Sequence, residues 1–258
     1  MDMEKKIKDI QQEYKGKDDL ELPDFIEEYI RDGRPGVAKI IGQAKKRLDR
    51  LDQERQRLEV LRTYEHRYED AYPMICGIDE VGRGPLAGPV CAAAVILPKD
   101  CEILYLNDSK KLSEARREAL YEEIMEKAIA VGIGFASPEK IDEVNILQAT
   151  YIAMRQAIAE LAVAPDLLLN DAVTIPEVSI KQVPIIKGDA KSISIGAASI
   201  IAKVTRDRLM KEYAAIMPEY GFAQNKGYGT KEHIEALQKY GPSPIHRKSF
   251  IGHFVECE

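Results

Sequence analysis

At 258 residues the chain can bury a full core, as one large domain or as one domain with an appendage. With 45% hydrophobic and 31% charged residues and a formal net charge of −6, it is unsuited to tight non-specific wrapping of nucleic acid by charge alone, although a local basic groove is not excluded. No segment reaches the roughly 20 apolar residues needed to span a bilayer, and the opening Met1-Asp2-Met3-Glu4-Lys5-Lys6 lacks the apolar stretch of a signal peptide, so no membrane is expected.

Residues 1–72 are charge-dense and show no strand-like alternation, which predicts a mainly helical N-terminal extension. Pro23 opens a short helix through Ile30, closed by Gly33, and a longer helix runs from Pro35 to about Tyr68. Its apolar positions Val37, Ile41, Ala44, Leu48, Leu51 and Leu58 recur at intervals of four and three, with Arg55 interrupting the seam. Two readings of this helix compete. It packs its apolar stripe on neighbours, or its cations Arg34, Lys39, Lys45, Lys46, Arg47, Arg50, Arg55, Arg57 and Arg62 grip a phosphate backbone as an aid to substrate binding. Interleaved Asp49, Asp52, Glu54 and Glu59 favour ion pairs within the helix. Pro73 marks the boundary to a second domain, residues 73–258.

From Met74 strands and helices alternate. Residues 74–79 and 89–97 read as two strands, and 113–128 as a helix with Ser113 as N-cap, although Arg116 departs from a capping box. A strand over 130–136, a helix over 145–161, short strands over 166–169 and 183–186, a long helix over 197–216 and a short one over 231–239 follow. The order predicts an α/β fold, a mixed sheet covered by helices. Cys76, Cys91, Cys101 and Cys257 form no CxxC pair and read as reduced thiols of a cytoplasmic protein.

Between the first two strands lies Asp79-Glu80-Val81-Gly82-Arg83-Gly84-Pro85-Leu86-Ala87-Gly88-Pro89. Two adjacent carboxylates precede a loop in which Gly82 and Gly84 flank an arginine, so backbone amides and a planar cation can approach a phosphodiester. Asp171 ends the apolar run Leu167-Leu168-Leu169 after Asn170, and Asp189 ends the run from Val183 to Gly188. Carboxylates at neighbouring strand ends converge at one edge of an open sheet. Asp and Glu without His or Cys suit Mg²⁺ or Mn²⁺, and a pair of such ions serves phosphodiester cleavage.

These residues carry a family resemblance. The stretch from Gly77 to Pro89, the block Asp108-Ser109-Lys110-Lys111-Leu112, Lys187-Gly188-Asp189 with Ala197 through Arg208, and Asn225-Lys226-Gly227-Tyr228-Gly229-Thr230-Lys231-Glu232-His233 resemble, in order, the motifs of type 2 ribonuclease H, ribonuclease HII. The resemblance implies a ribonuclease-H-like fold, with Asp79, Glu80, Asp171 and Asp189 as catalytic, metal-holding residues. It implies hydrolysis of RNA in RNA–DNA hybrids and incision 5′ of single ribonucleotides in duplex DNA, leaving 3′-hydroxyl and 5′-phosphate ends. Gly82, Arg83 and Gly84 would contact the 2′-hydroxyl and Tyr228 would abut the next deoxyribose, because the 2′-hydroxyl is what separates RNA from DNA at a given position. The helical extension argues against the related type 3 enzyme, which resembles a sheet-containing domain at its N-terminus.

Asn170 stands where an apolar strand residue is expected, either tilting the strand end or adding a hydrogen bond near Asp171. Lys110 and Lys111 read either as a solvated surface pair or, preferably, as phosphate contacts, and Lys187 either as a phosphate contact or as part of a surface ion pair. Ser199, Lys203 and Asp207 share a helix face and read as structural. His66, His233, His246 and His253 show no metal-ligand spacing. Two rival readings fit the residues less well: a non-enzymatic module that binds hybrid duplex by shape, and a recombinase or DNA-directed nuclease on the same fold.

Overall fold

The computed structural model describes residues 5–255, so residues 1–4 and Cys257 lie outside the described residues. By contact the chain divides into two units, one up to Glu59 and one from Val60. In the first, α1 (Ile7–Gly16), α2 (Leu22–Tyr29) and the start of α3 (Pro35–Leu61) enclose Ile10, Leu22, Phe25, Val37, Ile40 and Ala44. Helix α1 was not expected from the sequence, whereas α2 begins where Pro23 predicts. The acidic residues absorb part of the cationic set: Arg34 pairs with Asp32, Arg47 with Asp19 and Arg57 with Glu54, while Lys39, Lys45 and Lys46 are exposed. Along the second half of α3 the buried positions are Leu51, Glu54, Leu58 and Leu61, so Glu54 interrupts the apolar stripe and Arg55 lies outside it.

The single helix expected from Pro35 to Tyr68 is broken. Helix α3 ends at Leu61 and α4 (Thr63–Tyr68) follows a non-helical Arg62. The guanidinium of Arg62 is buried and donates to the Lys99 carbonyl at 2.6 Å and to that of Cys101, which fixes the break.

The second unit is built on a five-stranded sheet of order β3-β2-β1-β4-β5. Strands β1 (Ile75–Val81), β2 (Val90–Ile96) and β3 (Ala130–Ala136) are antiparallel neighbours; β4 (Leu167–Asp171) and β5 (Lys181–Ile185) run parallel to β1. Helix α5 (Glu114–Lys127) starts at Ser113, whose hydroxyl accepts from the Arg116 amide. Helix α6 (Pro138–Ala159) starts before the expected residue 145. Asn145 has φ 70° and kinks it, and the Asn145 side chain accepts from the Leu147 and Gln148 amides, so the expected start is a cap inside a longer element. Helices α7 (Ile193–Ile216), α8 (Phe222–Asn225), α9 (Lys231–Tyr240) and α10 (Lys248–Ile251) complete the chain.

Strand alternation sorts side chains between two cores. Cys76, Ile78 and Leu168 meet Ala149, Ala153 and Ala157 of α6 on one face, while Ile75, Leu167 and Leu169 meet Ile195 of α7 on the other. Helix α7 comes so close to β1 that a Cβ on Gly77 would stand 2.0 Å from the Ser194 carbonyl carbon; only glycine fits there. Asp79 and Asp171 therefore project on the α7 face, one residue beyond the paired Ile78 and Asn170.

Candidate active site

The carboxylates sit where adjacent parallel strands end. Asp79 is 7% exposed, and its Oδ1 accepts from the Glu80 amide at 2.8 Å. The Ser199 hydroxyl, presented by α7, favours the ionised form of Asp79. Burial first, then the negative charges of Glu80 and Asp171, push the Asp79 carboxyl well above the usual aspartate range. Glu80 is raised mainly by burial and partly offset by Arg83, whose guanidinium lies 3.2 Å from its Oε1. Asp171 accepts from the Gly188 amide at 2.7 Å, which anchors the turn that carries Asp189. Asp189 is raised by burial and by Asp108 and Asp171.

Asp171 is thus an electrostatic neighbour of the other three carboxylates, and the sequence assignment is brought together at one sheet edge. Asp108 is a further acid beside Asp189, outside the four carboxylates that the motifs single out. Among the described residues no three His, Cys, Asp or Glu side chains converge closely enough, as they stand, to hold one metal ion. The donor set nonetheless fits a hard divalent cation. It is all oxygen, and its members raise one another's affinity for positive charge, here protons.

The loop after β1 frames one side of this cluster. Gly82 has φ +90° and its α-carbon faces the Arg206 side chain, where a Cβ would lie 2.3 Å from Nε; a side chain there is excluded by conformation and by space. Arg83 and Gly84 are exposed. A Cβ on Gly84 would stand 3.9 Å from Cε1 of Tyr228, so the glycine loop and the tyrosine from the far C-terminal block are neighbours. The Tyr228 side of this pair is 43% exposed, as expected for a residue that offers its ring outward. Lys110 is exposed on the turn Ser109–Lys111 and lowers the carboxyl affinities of Glu80 and Asp189 for protons, which places its charge near both. Lys187 is exposed in a left-handed conformation two residues before Asp189.

Asn170 is fully buried and turns its amide away from a ligand role: Nδ2 donates to Gln182 Oε1 at 2.7 Å and to the Val173 carbonyl at 3.1 Å, clamping β4 to β5. Lys203 and Asp207 form the expected pair at 2.7 Å. Ser199 does more than the structural role read for it, because its hydroxyl favours the ionised form of Asp79.

A family model described as ribonuclease HII matches residues 76–253, and one described as the ribonuclease HII N-terminal domain matches residues 6–69. The chain belongs to the ribonuclease HII family. A ribonuclease HII of Lachnoclostridium phytofermentans is 67% identical over 231 residues, covering 90% of this chain and 91% of that one. One from Clostridioides difficile is 55% identical over 236 residues, covering 90% and 92%. Among solved structures, ribonuclease HII of Archaeoglobus fulgidus, in complex with PCNA, superposes with a TM-score of 0.58 at 27% identity, covering 72% of this chain and 98% of that one. The ribonuclease HII fold therefore accounts for the mixed sheet, and the helical extension is the family's own N-terminal domain. As a ribonuclease HII the chain is a ribonuclease-H-type hydrolase, an endonuclease of RNA–DNA hybrids, in a family that typically uses divalent metal cofactors. The non-enzymatic rival is thereby set aside. Among the described residues no helix is long and apolar enough to cross a membrane.

Proposed function

We propose that this ribonuclease HII incises duplex DNA on the 5′ side of a single embedded ribonucleotide as well as cutting longer hybrids, leaving 3′-hydroxyl and 5′-phosphate ends. The observation that carries this reading is the adjacency of Gly84 and Tyr228, with Arg83 tied to Glu80 of the carboxylate cluster. A 2′-hydroxyl reader and an aromatic that abuts the next sugar must be neighbours if the pair is to recognise a ribonucleotide followed by a deoxyribonucleotide.

Asp79, Glu80, Asp171 and Asp189 would hold Mg²⁺ or Mn²⁺. Two divalent cations there would lower the pKa of an attacking water and offset charge on the leaving 3′-oxygen. The exposed Arg83 and Gly84 present backbone donors to the minor-groove edge of the substrate, and Arg83 shares its charge between Glu80 and a phosphate. Lys110, near Glu80 and Asp189, binds the phosphate backbone beside the scissile bond. Lys187, exposed ahead of Asp189, serves the same backbone further out. Tyr228 stacks against the deoxyribose 3′ of the ribonucleotide. The first unit, with Lys39, Lys45 and Lys46 exposed, adds sequence-independent phosphate affinity. A cytoplasmic setting agrees with Cys76, Cys91 and Cys101 being unpaired thiols.

The test uses end-labelled duplex DNA with one ribonucleotide, an all-DNA control, and an Asp189→Asn variant, with and without Mg²⁺. Metal-dependent incision only 5′ of the ribonucleotide, lost in the variant, is expected. Binding without scission at that substrate under every metal condition would refute the junction reading.

A further inference from the structure

Two arginines with no exposed surface, Arg206 and Arg247, lie behind the glycine loop. Arg247 donates from Nη2 to the Gly82 carbonyl at 2.5 Å, from Nη1 to that of Arg83 at 2.9 Å, and from Nε and Nη2 to that of Gly88 at 2.9 and 2.7 Å. Arg206 donates from Nε to the Pro89 carbonyl at 2.8 Å, from Nη2 to that of Ala87 at 3.1 Å, and from Nη1 to that of Lys226 at 2.9 Å. These partners are backbone carbonyls from two segments far apart in the chain. Burying a guanidinium on carbonyls is costly, and a planar five-donor fork is the side chain that can collect so many of them at once.

The consequence for the loop follows from the peptide plane. In a trans peptide the carbonyl and the next amide N–H point in opposite directions. With the Gly82 and Arg83 carbonyls drawn inward to Arg247, the amides of Arg83 and Gly84 are aimed the other way, toward the exposed side of the loop. The same two arginines reach the Tyr228 segment. Arg206 holds the Lys226 carbonyl; the Leu86 amide donates to the Gly227 carbonyl at 2.8 Å; and the Arg247 amide donates to the Leu86 carbonyl at 2.9 Å.

We propose that Arg206 and Arg247 are positioning residues that set the glycine-loop amides and Tyr228 in register with each other, and so determine selectivity for a lone ribonucleotide over a continuous RNA strand. The proposal rests on the junction reading above. A continuous RNA strand offers a 2′-hydroxyl at every position, so a loop slightly out of register still finds one. A lone ribonucleotide offers a single 2′-hydroxyl, at a fixed distance from the next deoxyribose.

The experiment measures kcat and KM of the full chain and of Arg247→Lys and Arg206→Lys on two substrates, a duplex with one ribonucleotide and a uniform RNA–DNA hybrid, with Tm as a fold check. Lysine keeps the charge and loses the fork. The expected result is a fall of at least ~10-fold in the ratio of kcat/KM for the lone ribonucleotide over that for the hybrid, mostly through kcat, since misplacement of reading groups by an ångström costs rates on that scale. Equal losses on both substrates, or no loss, in a folded variant would overturn the positioning role. Should Arg247→Lys not fold, Arg206→Lys carries the same comparison. An unsubstituted chain that cut hybrid but never the lone ribonucleotide would instead remove the junction reading itself.

Discussion

The Ser199 hydroxyl lies 2.9 Å from the Ser109 hydroxyl, joining helix α7 to the turn that carries Lys110. The Ser199 hydroxyl in turn favours the ionised form of Asp79, so this serine pair links the turn of Lys110 to the carboxylate cluster.

Ser199→Ala removes a hydroxyl that favours the ionised form of Asp79. The acid limb of the pH–activity profile is expected to move to higher pH, with kcat/KM near neutrality lower by roughly tenfold, the scale of one hydrogen bond to a charged group. Ser109→Ala should do the same more weakly. A pH profile of Ser199→Ala superimposable on that of the parent would show the hydroxyl to be packing only.

Asp79→Asn should abolish cleavage and at the same time stabilise the chain in chelator. The folded-state pKa of Asp79 is raised above its ordinary value of 3.8, so the folded protein binds more protons than the unfolded chain and loses stability as pH climbs above that value. A permanently neutral side chain removes the loss. Melting in EDTA at neutral pH should show a Tm higher by on the order of a few degrees, and a lower Tm would contradict the electrostatic account.

Glu65 caps α7 from outside that helix. Its Oε1 accepts from the Ser192 hydroxyl at 2.5 Å and the Ser194 amide at 3.0 Å, while its buried Oε2 has no hydrogen-bond partner among the described residues. Burial raises its carboxyl above 4.5, so its contribution to stability is greatest below that pH and declines as pH rises through the folded-state value. Glu65→Gln keeps an acceptor and removes the charge. Denaturant midpoints should match the parent near pH 4 and exceed it at pH 8, by about 1 kcal/mol. The same contacts predict that deleting residues 1–72, which removes Arg62 and Glu65, lowers Tm more than deleting residues 1–59. Equal melting of the two truncations would deny the cap its role.

His233 and His246 form a buried chain with a single consistent set of tautomers. The Ser243 amide donates to His246 Nδ1 at 2.9 Å, which places the His246 proton on Nε2, 3.0 Å from His233 Nε2; His233 Nδ1 then donates to the Tyr228 carbonyl at 2.8 Å. Burial lowers both, His246 to about 4. For a depressed folded-state pKa the stability is present above 6.5 and lost as pH falls toward that lower value. Unfolding midpoints should therefore drop between pH 6.5 and about 4, and His246→Gln should flatten that slope; an equally steep slope in the variant would assign it to other groups.

Much of the site was legible because its grammar is local. Period-two alternation in β1 and β4 places Asp79 and Asp171 on the face that α7 covers, and their shared register is a property of two adjacent apolar strands. Element boundaries failed where a side chain contact overrode periodicity. Arg62 turned inward to two carbonyls and broke α3 from α4, and Asn145 capped the middle of α6. Helix α1 escaped because its residues are mostly polar and only Ile10 is buried.

What the amino-acid sequence determined by itself is the set of motifs, the mixed α/β order and the oxygen-only character of the carboxylate cluster, since these depend on residue type and on spacing within a strand or loop. Which distant groups hold them emerges only once the chain has folded. Arg247 reaches Gly82 across 165 positions, and Glu65 reaches Ser192 across 127. Neither leaves a periodic signal, because a single buried guanidinium or carboxylate finds its partners only after the strands and helices have closed around it.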